Sequence, residues 1–243
     1  MKITEATWIF LDTETTGIPK SGEPDPRVIE LGWVTIKGMV VEGSADFLIN
    51  PGIPIPPKVQ EITHITDEMV ANEPGFDAVA NKFMAEYQAA DFIAAYNAQF
   101  DRQLLNIEYA LLGSKLPEKI WLDPLIWSRT FVKSEDHKLA TMAKKFDVSL
   151  ENAHRADADA AASAQILMKF FQWGVDEANF PDDVEQLKEL ERGWRSGNMT
   201  TMRMNKTIKN NSTGTPGQVA QNVYDNYNRD RLMKLANRGR YGK

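Results

Sequence analysis

Three strand-like segments near the start of the chain restrict the possible folds more than any other sequence feature. Residues 7–12, 28–36 and 39–49 are rich in apolar, β-branched and aromatic residues, and Lys37-Gly38 predicts a tight link between the second and the third. The prolines of residues 51–57 end the third segment in an extended loop. These segments predict a β-meander.

Helical and strand patterns alternate in the middle of the chain. Helical periodicity around residues 78–87 is followed by an apolar strand at 92–96 and by a second helix through residues 104–112. The later elements are a short strand at 120–123, which Pro124 terminates, and helices at 139–146 and 158–171. A meander followed by such alternation predicts an α/β fold with a mixed sheet flanked by helices. Open sheets of this kind bind ligands at their strand ends.

The composition limits the chemistry that the chain can perform. It has 243 residues, of which 42% are apolar, enough for one sizeable core and an extension. We find no apolar stretch of about 18 residues and no leader at the N-terminus, so we predict no membrane span and a cytoplasmic location. With no Cys and only His64, His137 and His154, a metal would be held mainly by carboxylates, which favours Mg²⁺ or Mn²⁺.

Charge is distributed unevenly along the chain. Residues 192–243 contain eleven Lys/Arg and two Asp/Glu, a net charge of +9, so residues 1–191 carry −15 of the total of −6. Within this C-terminal part we predict an acidic helix at 181–192, a flexible stretch at 195–218 and a short basic helix at 223–235. A basic tail on an acidic body would attract phosphate groups, although it could equally be a solvated extension.

Two carboxylates follow the first predicted strand. Asp12 and Glu14 are two residues apart, so in an extended chain both side chains project from the same face of the sheet. Two like charges at the end of an apolar strand repel one another, and a shared divalent cation would remove this repulsion. The alternative is that they are ordinary solvated charges at a strand end.

Further polar residues stand at the starts of later helices. Asp101 follows the strand at 92–96 and belongs to the first turn of the next helix, where it could bind a cation or simply complement the helix dipole. His154 precedes an Ala-rich helix whose first turns carry Asp157 and Asp159. These two aspartates point about 200° apart on a helix, so only one of them, Asp157 or Asp159, can face a given site. We assign His137, which has no carboxylate pattern near it, to the surface.

Three motifs together resemble those of the DEDDh family in the DnaQ-like exonuclease superfamily. They are Asp12-x-Glu14, Asn97-Ala98-x-Phe100-Asp101 and His154-x4-Asp159, in the family's order and spacing. The resemblance covers about residues 7–172. It includes Ile29-Glu30-Leu31-Gly32, Ile65-Thr66-Asp67-Glu68, Asp123 with Arg129, and Leu139-x2-Met142-Ala143.

The resemblance implies an RNase H-like fold and a metal-dependent 3′-5′ exonuclease that releases nucleoside 5′-monophosphates. The exonuclease domain would comprise residues 1–174 and the C-terminal extension residues 175–243. Asp12, Glu14, Asp101 and Asp159 would hold two divalent cations, Mg²⁺ or Mn²⁺, with Asp12 bridging them, and His154 would be the general base.

The resemblance also implies residues that contact the substrate. The turn Thr15-Thr16-Gly17 and the loop around His64 would contact the terminal nucleotide, with Asn97 and Phe100 beside them. Two departures concern substrate preference: many relatives have glycine where this chain has His64 and histidine where it has Tyr96. His64 could stack on a base or face solvent.

Several functions remain open at this stage. We favour the 3′ end of DNA, single-stranded, over RNA, and an RNA 3′-end trimming enzyme is the alternative. A second alternative is a module that docks on a polymerase or another replication partner through residues 192–243.

Overall fold

A single five-stranded sheet forms the centre of the protein in a computed structural model that describes residues 1–150, 154–177 and 180–196. The strands are β1 (Thr7–Thr15), β2 (Val28–Lys37), β3 (Val40–Leu48), β4 (Phe92–Ala94) and β5 (Ile120–Leu122). Their order in the sheet is β3-β2-β1-β4-β5, with β1–β2 and β2–β3 antiparallel and β1–β4 and β4–β5 parallel. The predicted meander and mixed sheet are confirmed.

Eight helices are described around the sheet. They are α1 (Pro57–Thr63), α2 (Asp67–Val70), α3 (Phe76–Ala89), α4 (Ala98–Leu111), α5 (Pro124–Phe131), α6 (Leu139–Lys145), α7 (Ala156–Glu177) and α8 (Val184–Arg195). Among these described helices, none is long and apolar enough to cross a membrane.

The central strand β1 is buried on both faces, because successive side chains alternate across a sheet. Trp8 and Phe10 lie in the core that β1 shares with α5, α6, α7 and α8, whereas Ile9 and Leu11 lie in the core that it shares with α3 and α4. The row that begins with Trp8 and Phe10 continues with Asp12 and Glu14. This alternation directs both carboxylates toward the face on which α7 packs.

Some local predictions need correction. The link between β2 and β3 consists of Gly38 and Met39, both with positive φ (50° and 68°), which is the geometry of a two-residue type I′ turn. Pro124 does more than terminate β5: it is the first residue of α5, and the Asp123 side chain caps that helix by accepting the Leu125 N–H. The extended loop after β3 leads into the short helices α1 and α2, which the sequence did not indicate.

The C-terminal segment is partly described. The acidic helix predicted at 181–192 is α8, which begins after the N-cap Asp183 and packs on β5 and α5. Its Val184, Leu187 and Trp194 belong to the same hydrophobic core as Trp8 and Phe10. The boundary predicted at residue 174 therefore separates two segments that share one core. The flexible stretch predicted at 195–218, beyond residue 196, and the basic helix at 223–235 lie outside the described residues.

Candidate metal centre

Four carboxylates approach one edge of the sheet from three elements. Because β1, β4 and β5 are parallel, their carboxyl ends lie at the same edge. Asp12 and Glu14 are at the end of β1, Asp101 is in the first turn of α4, and Asp159 is in the first turn of α7. The carboxylates of Asp101, Asp159 and Glu14 all repel that of Asp12, and those of Asp159 and Asp101 also repel that of Glu14, so the four groups are close enough to interact.

Asp101 is fixed to the central strand by two hydrogen bonds. Its Oδ1 accepts the backbone N–H of Thr13 at 3.0 Å and the Thr13 hydroxyl at 2.9 Å. Thr13 lies between Asp12 and Glu14 and points to the opposite face of the strand. One threonine therefore holds α4 to the strand segment that carries both other carboxylates.

Glu14, His154 and Asp159 converge most closely. Their potential ligand atoms all lie within 4.8 Å of one another. Asp159 Oδ2 accepts the His154 backbone N–H at 3.3 Å, whereas Asp159 Oδ1 is buried and has no hydrogen-bond partner among the described residues. A buried carboxylate oxygen without a partner is costly. This orphaned oxygen, within a set of carboxylate donors, fits a divalent cation of the Mg²⁺ or Mn²⁺ type.

The same cluster shifts the acid–base properties of its members. Burial first, then repulsion from Asp101, Asp159 and Glu14, raises the pKa of Asp12 well above its usual range. Burial and the neighbouring carboxylates raise the pKa of Glu14 to about 8. Burial raises the pKa of Asp101 to about 7 against the opposing hydrogen bonds from Thr13, and that of Asp159 to about 6 against the opposing influence of His154. Without a cation, these carboxyls retain protons at pH values where ordinary carboxyls have lost them.

A buried ion pair, which sequence reasoning missed, attaches the start of α7 to the sheet. Glu30 on β2 is fully buried and accepts the Arg155 Nε–H at 2.7 Å and the Ala156 N–H at 2.8 Å. Arg155 also donates to Asp46 on β3 at 3.1 Å. Glu30 belongs to the motif Ile29-Glu30-Leu31-Gly32 and Arg155 follows His154, but their pairing across 125 residues has no local signal in the sequence. It anchors the chain between His154 and Asp159.

Close approach of the backbones completes this attachment. A Cβ atom at Gly32 would lie 2.3 Å from the Asp157 nitrogen and 2.4 Å from the Ala156 carbonyl carbon. Asp157 itself is exposed, and its Oδ1 accepts the Ala158 N–H, so Asp159 is the one of the two aspartates that faces Glu14.

The predicted substrate residues have different surroundings. The Thr15 hydroxyl donates to the Gly17 carbonyl at 2.6 Å, and the Thr16 hydroxyl accepts the Arg27 N–H at 2.9 Å, so both hydroxyls stabilise the turn itself. An added side chain at Gly17 would meet nothing within 4 Å. His64 is exposed and caps α1 in the left-handed conformation (φ 59°), which glycine adopts most easily.

Asn97 and Phe100 lie at the start of α4. Asn97 is exposed with φ 70°, and its backbone N–H donates to Asp123 Oδ1 at 2.9 Å. Phe100 is partly buried against the core under α4. Tyr96 donates its hydroxyl to the His137 carbonyl at 2.6 Å and so holds the loop before α6. His137 is partly buried there.

Comparison with known proteins identifies related sequences. The family model described as Exonuclease matches residues 9–167. The PolC-type DNA polymerase III of Bacillus subtilis is 33% identical over 170 residues, which is 69% of this chain and 12% of that protein. The 3′-5′ exonuclease DinG of Bacillus subtilis is 32% identical over 168 residues, which is 68% of this chain and 18% of that protein. The chain thus spans less than a fifth of the length of these relatives.

Solved structures show the same architecture. Exonuclease X in complex with 5′ overhanging duplex DNA matches with a TM-score of 0.58 and 21% identity, covering 76% of this chain and 99% of that one. The nuclease domain of 3′hExo, a DEDDh family member, bound to rAMP, matches with a TM-score of 0.59 and 18% identity, covering 72% of this chain and 96% of that one. These likenesses confirm the predicted RNase H-like fold.

Proposed function

Because the chain belongs to the exonuclease family and its motifs resemble those of the DEDDh members, we propose that it removes nucleoside 5′-monophosphates from the 3′ end of single-stranded DNA in a metal-dependent reaction. The observation that carries this proposal is the convergence of Glu14, His154 and Asp159 within 4.8 Å, beside Asp12 and Asp101. The preference for DNA is supported by the DNA polymerase relatives and by the structural likeness to a DNA-bound exonuclease.

The carboxylates would provide the sites for two divalent cations, Mg²⁺ or Mn²⁺. Asp12 would contribute to both sites, Glu14 and Asp159 to one, and Asp101 to the other. Two such cations, when bound, stabilise both the attacking and the leaving oxygen of a phosphodiester displacement. Glu30 and Arg155 hold the start of α7, and hence Asp159, at the sheet edge.

His154 is proposed as the general base. Its side chain is exposed, and its ring nitrogen lies in the same cluster as the carboxylates of Glu14 and Asp159. A neutral imidazole can take a proton from an attacking water at neutral pH. Its hydrogen-bonded backbone and left-handed φ of 66° restrict where the ring can be.

The terminal nucleotide would bind between the turn at Thr15–Gly17 and the loop around His64. The open space above Gly17 leaves room for a sugar or a base, and the exposed His64 ring could stack on a base. Asn97 and Phe100 would border this position from α4.

Matched oligonucleotides test the substrate. DNA and RNA strands of the same sequence, labelled at the 5′ end, should be compared in Mg²⁺, in Mn²⁺ and in chelator. We expect stepwise shortening of the DNA strand at a higher kcat/KM than that of the RNA strand, and none in chelator. Faster shortening of RNA would reject the DNA preference and establish the RNA-trimming alternative, which the likeness to the rAMP-bound 3′hExo domain favours.

Residues 192–243 are proposed as a contact segment for nucleic acid. Their net charge of +9 complements a phosphate backbone, which the acidic body would repel. Docking on a polymerase or another replication partner is the second candidate, because the PolC-type relatives are polymerases. The cytoplasmic location stays a prediction.

A further inference from the structure

Helix α8 lies beyond residues 9–167, which the exonuclease family model matches, yet it carries a buried carboxylate. Glu191 is 1% exposed. Its Oε2 accepts the Asp123 backbone N–H at 2.8 Å and the Trp127 indole N–H at 2.9 Å, and Lys188 donates to its Oε1. A buried charge is costly unless it is paired and hydrogen-bonded, and here three donors satisfy it. Glu191 thus connects α8 to the end of β5.

Asp123 transmits this connection to α4. It is 3% exposed and follows β5 directly. Its Oδ1 accepts the Asn97 N–H at 2.9 Å and the Leu125 N–H at 3.0 Å. Asn97 is the N-cap residue of α4 and adopts a left-handed conformation, so this hydrogen bond fixes the backbone where β4 turns into the helix.

The turn fixed in this way carries a member of the metal centre. Asp101 is four residues after Asn97, one helical turn further along α4. A second contact from α8 reaches the same turn: Arg195 lies 3.7 Å from Asp123 Oδ2 and donates to Gln99 at 3.4 Å. Glu191 and Arg195, one helical turn apart, therefore hold both Asp123 and the start of α4.

We propose that Glu191 is a positioning residue for the metal centre: through Asp123 and Asn97 it sets the place of the α4 turn that carries Asp101. This inference rests on the proposed function, and it extends the functional unit past residue 167 to α8. In the part of the chain that the structure describes, the hydrogen bonds of the Glu191 side chain are to Asp123, Trp127 and Lys188 and to none of the four carboxylates of the metal centre. Glu191 acts through the backbone of two other residues.

The test is Glu191→Gln, which keeps the shape of the side chain. The amide NH₂ would face either the Lys188 ammonium or the two N–H donors, so one set of contacts must break. We expect kcat to fall about 10- to 100-fold, as for other residues that orient metal ligands, with an unchanged KM for the oligonucleotide. We also expect a higher Mn²⁺ concentration for half-maximal thermal stabilisation and faster amide exchange in a peptide covering residues 95–101.

Two controls separate positioning from general destabilisation. Glu189→Gln changes the same charge on the same helix but at an exposed residue that pairs with Arg192, and it should behave as wild type. Trp127→Phe removes the other donor to Glu191 Oε2 and lowers the melting temperature, but it leaves the Asp123 contact, so exchange at residues 95–101 should not change.

A second variant covers the case in which Glu191→Gln does not fold. Adding Lys188→Met removes the opposing ammonium, so that the Gln oxygen can accept both N–H groups, and kcat and exchange should return toward wild type. Wild-type exchange and kcat in Glu191→Gln would overturn the proposal, as would equal effects of Trp127→Phe. An inactive wild-type enzyme would reject the proposed function. Amide exchange at residues 95–101 would still test the positioning inference, because it can be measured without activity.

Discussion

At the scale of single residues, the metal centre is a set of carboxyl groups whose pKa values are raised, so that they hold protons at higher pH than ordinary carboxyls do. The pKa of Glu14 is raised to about 8, that of Asp101 to about 7 and that of Asp159 to about 6, above the values of about 4 that unfolded carboxyls have. The metal-free native state therefore binds protons more tightly than the unfolded state. The stability that these groups contribute is fully present below about pH 4 and is lost as the pH rises through 6 to 8.

Replacing Asp12 by Asn tests this linkage, because an amide cannot ionise and the cluster then has one carboxyl fewer to deprotonate as the pH rises. At about pH 8, without metal, the variant should melt higher than wild type, by about 2–4 °C for each kcal/mol of relieved repulsion. At about pH 5, where the cluster is largely protonated, the difference should shrink. Mn²⁺ should stabilise wild type at pH 8 but not the variant. A variant that melts lower than wild type at both pH values would contradict the clustering.

From the sequence, the residues of the metal centre could be placed relative to one another only where the periodicity of a strand or a helix was sufficient. The strand period placed Asp12 and Glu14 on one face. The helical period showed that Asp157 and Asp159 cannot both face one site, and the motif His154-x4-Asp159 then favoured Asp159. Neither period could show that Glu30 pairs with Arg155, because that contact depends on how α7 crosses β2. The roles assigned to the individual site residues stay predictions.

At the scale of secondary-structure elements, the important contact is between the start of α7 and β2. Gly32 lets the two backbones approach, since a Cβ there would lie 2.3 Å from the Asp157 nitrogen. Gly32→Ala should push α7 away from the sheet and displace Asp159, with activity falling about 100-fold, as expected for a misplacement near 1 Å. Gly43→Ala on β3 is the matched control, because a Cβ there meets nothing within 4 Å.

The measurement for this pair is kcat/KM together with the melting temperature. Gly43→Ala should leave both unchanged. Wild-type activity in Gly32→Ala would show that the close approach does not set the position of Asp159.

Strands and helices with a clear hydrophobic periodicity were predictable from the sequence. Those that depend on a helix cap or on tertiary packing were not. The strands of the meander and helices α3, α4, α6 and α7 followed from apolar spacing. Helix α5 was missed although Asp123-Pro124 is an N-cap followed by proline at the first helical position, which is a recognisable start. The docking of α8 could not be foreseen, because Trp194 finds Trp127, Phe131 and Phe180 only in the folded core.

At the scale of the whole molecule, the role of the basic C-terminal tail can be tested by a truncation that leaves the hydrophobic core intact. Deletion from residue 192 would remove Trp194 and Arg195, which are part of the folded structure, so the chain should be cut after Ser196. If the tail binds DNA, this truncation should melt like the full chain but bind single-stranded DNA more weakly and with a flatter dependence of affinity on salt. Unchanged affinity at every salt concentration would reject the DNA-binding role of the tail.

The central claim is that the carboxylates at the sheet edge form a metal-dependent 3′-5′ nuclease centre. Its most direct test compares wild type, Asp159→Asn and Asp157→Asn on 5′-labelled single-stranded DNA, in Mn²⁺ and in chelator. We predict that wild type and Asp157→Asn shorten the strand by one nucleotide at a time from the 3′ end, in Mn²⁺ only. For Asp159→Asn we predict a rate that is lower by at least about 10²-fold. Internal cleavage, full activity in chelator, or equal rates for the two variants would contradict the account.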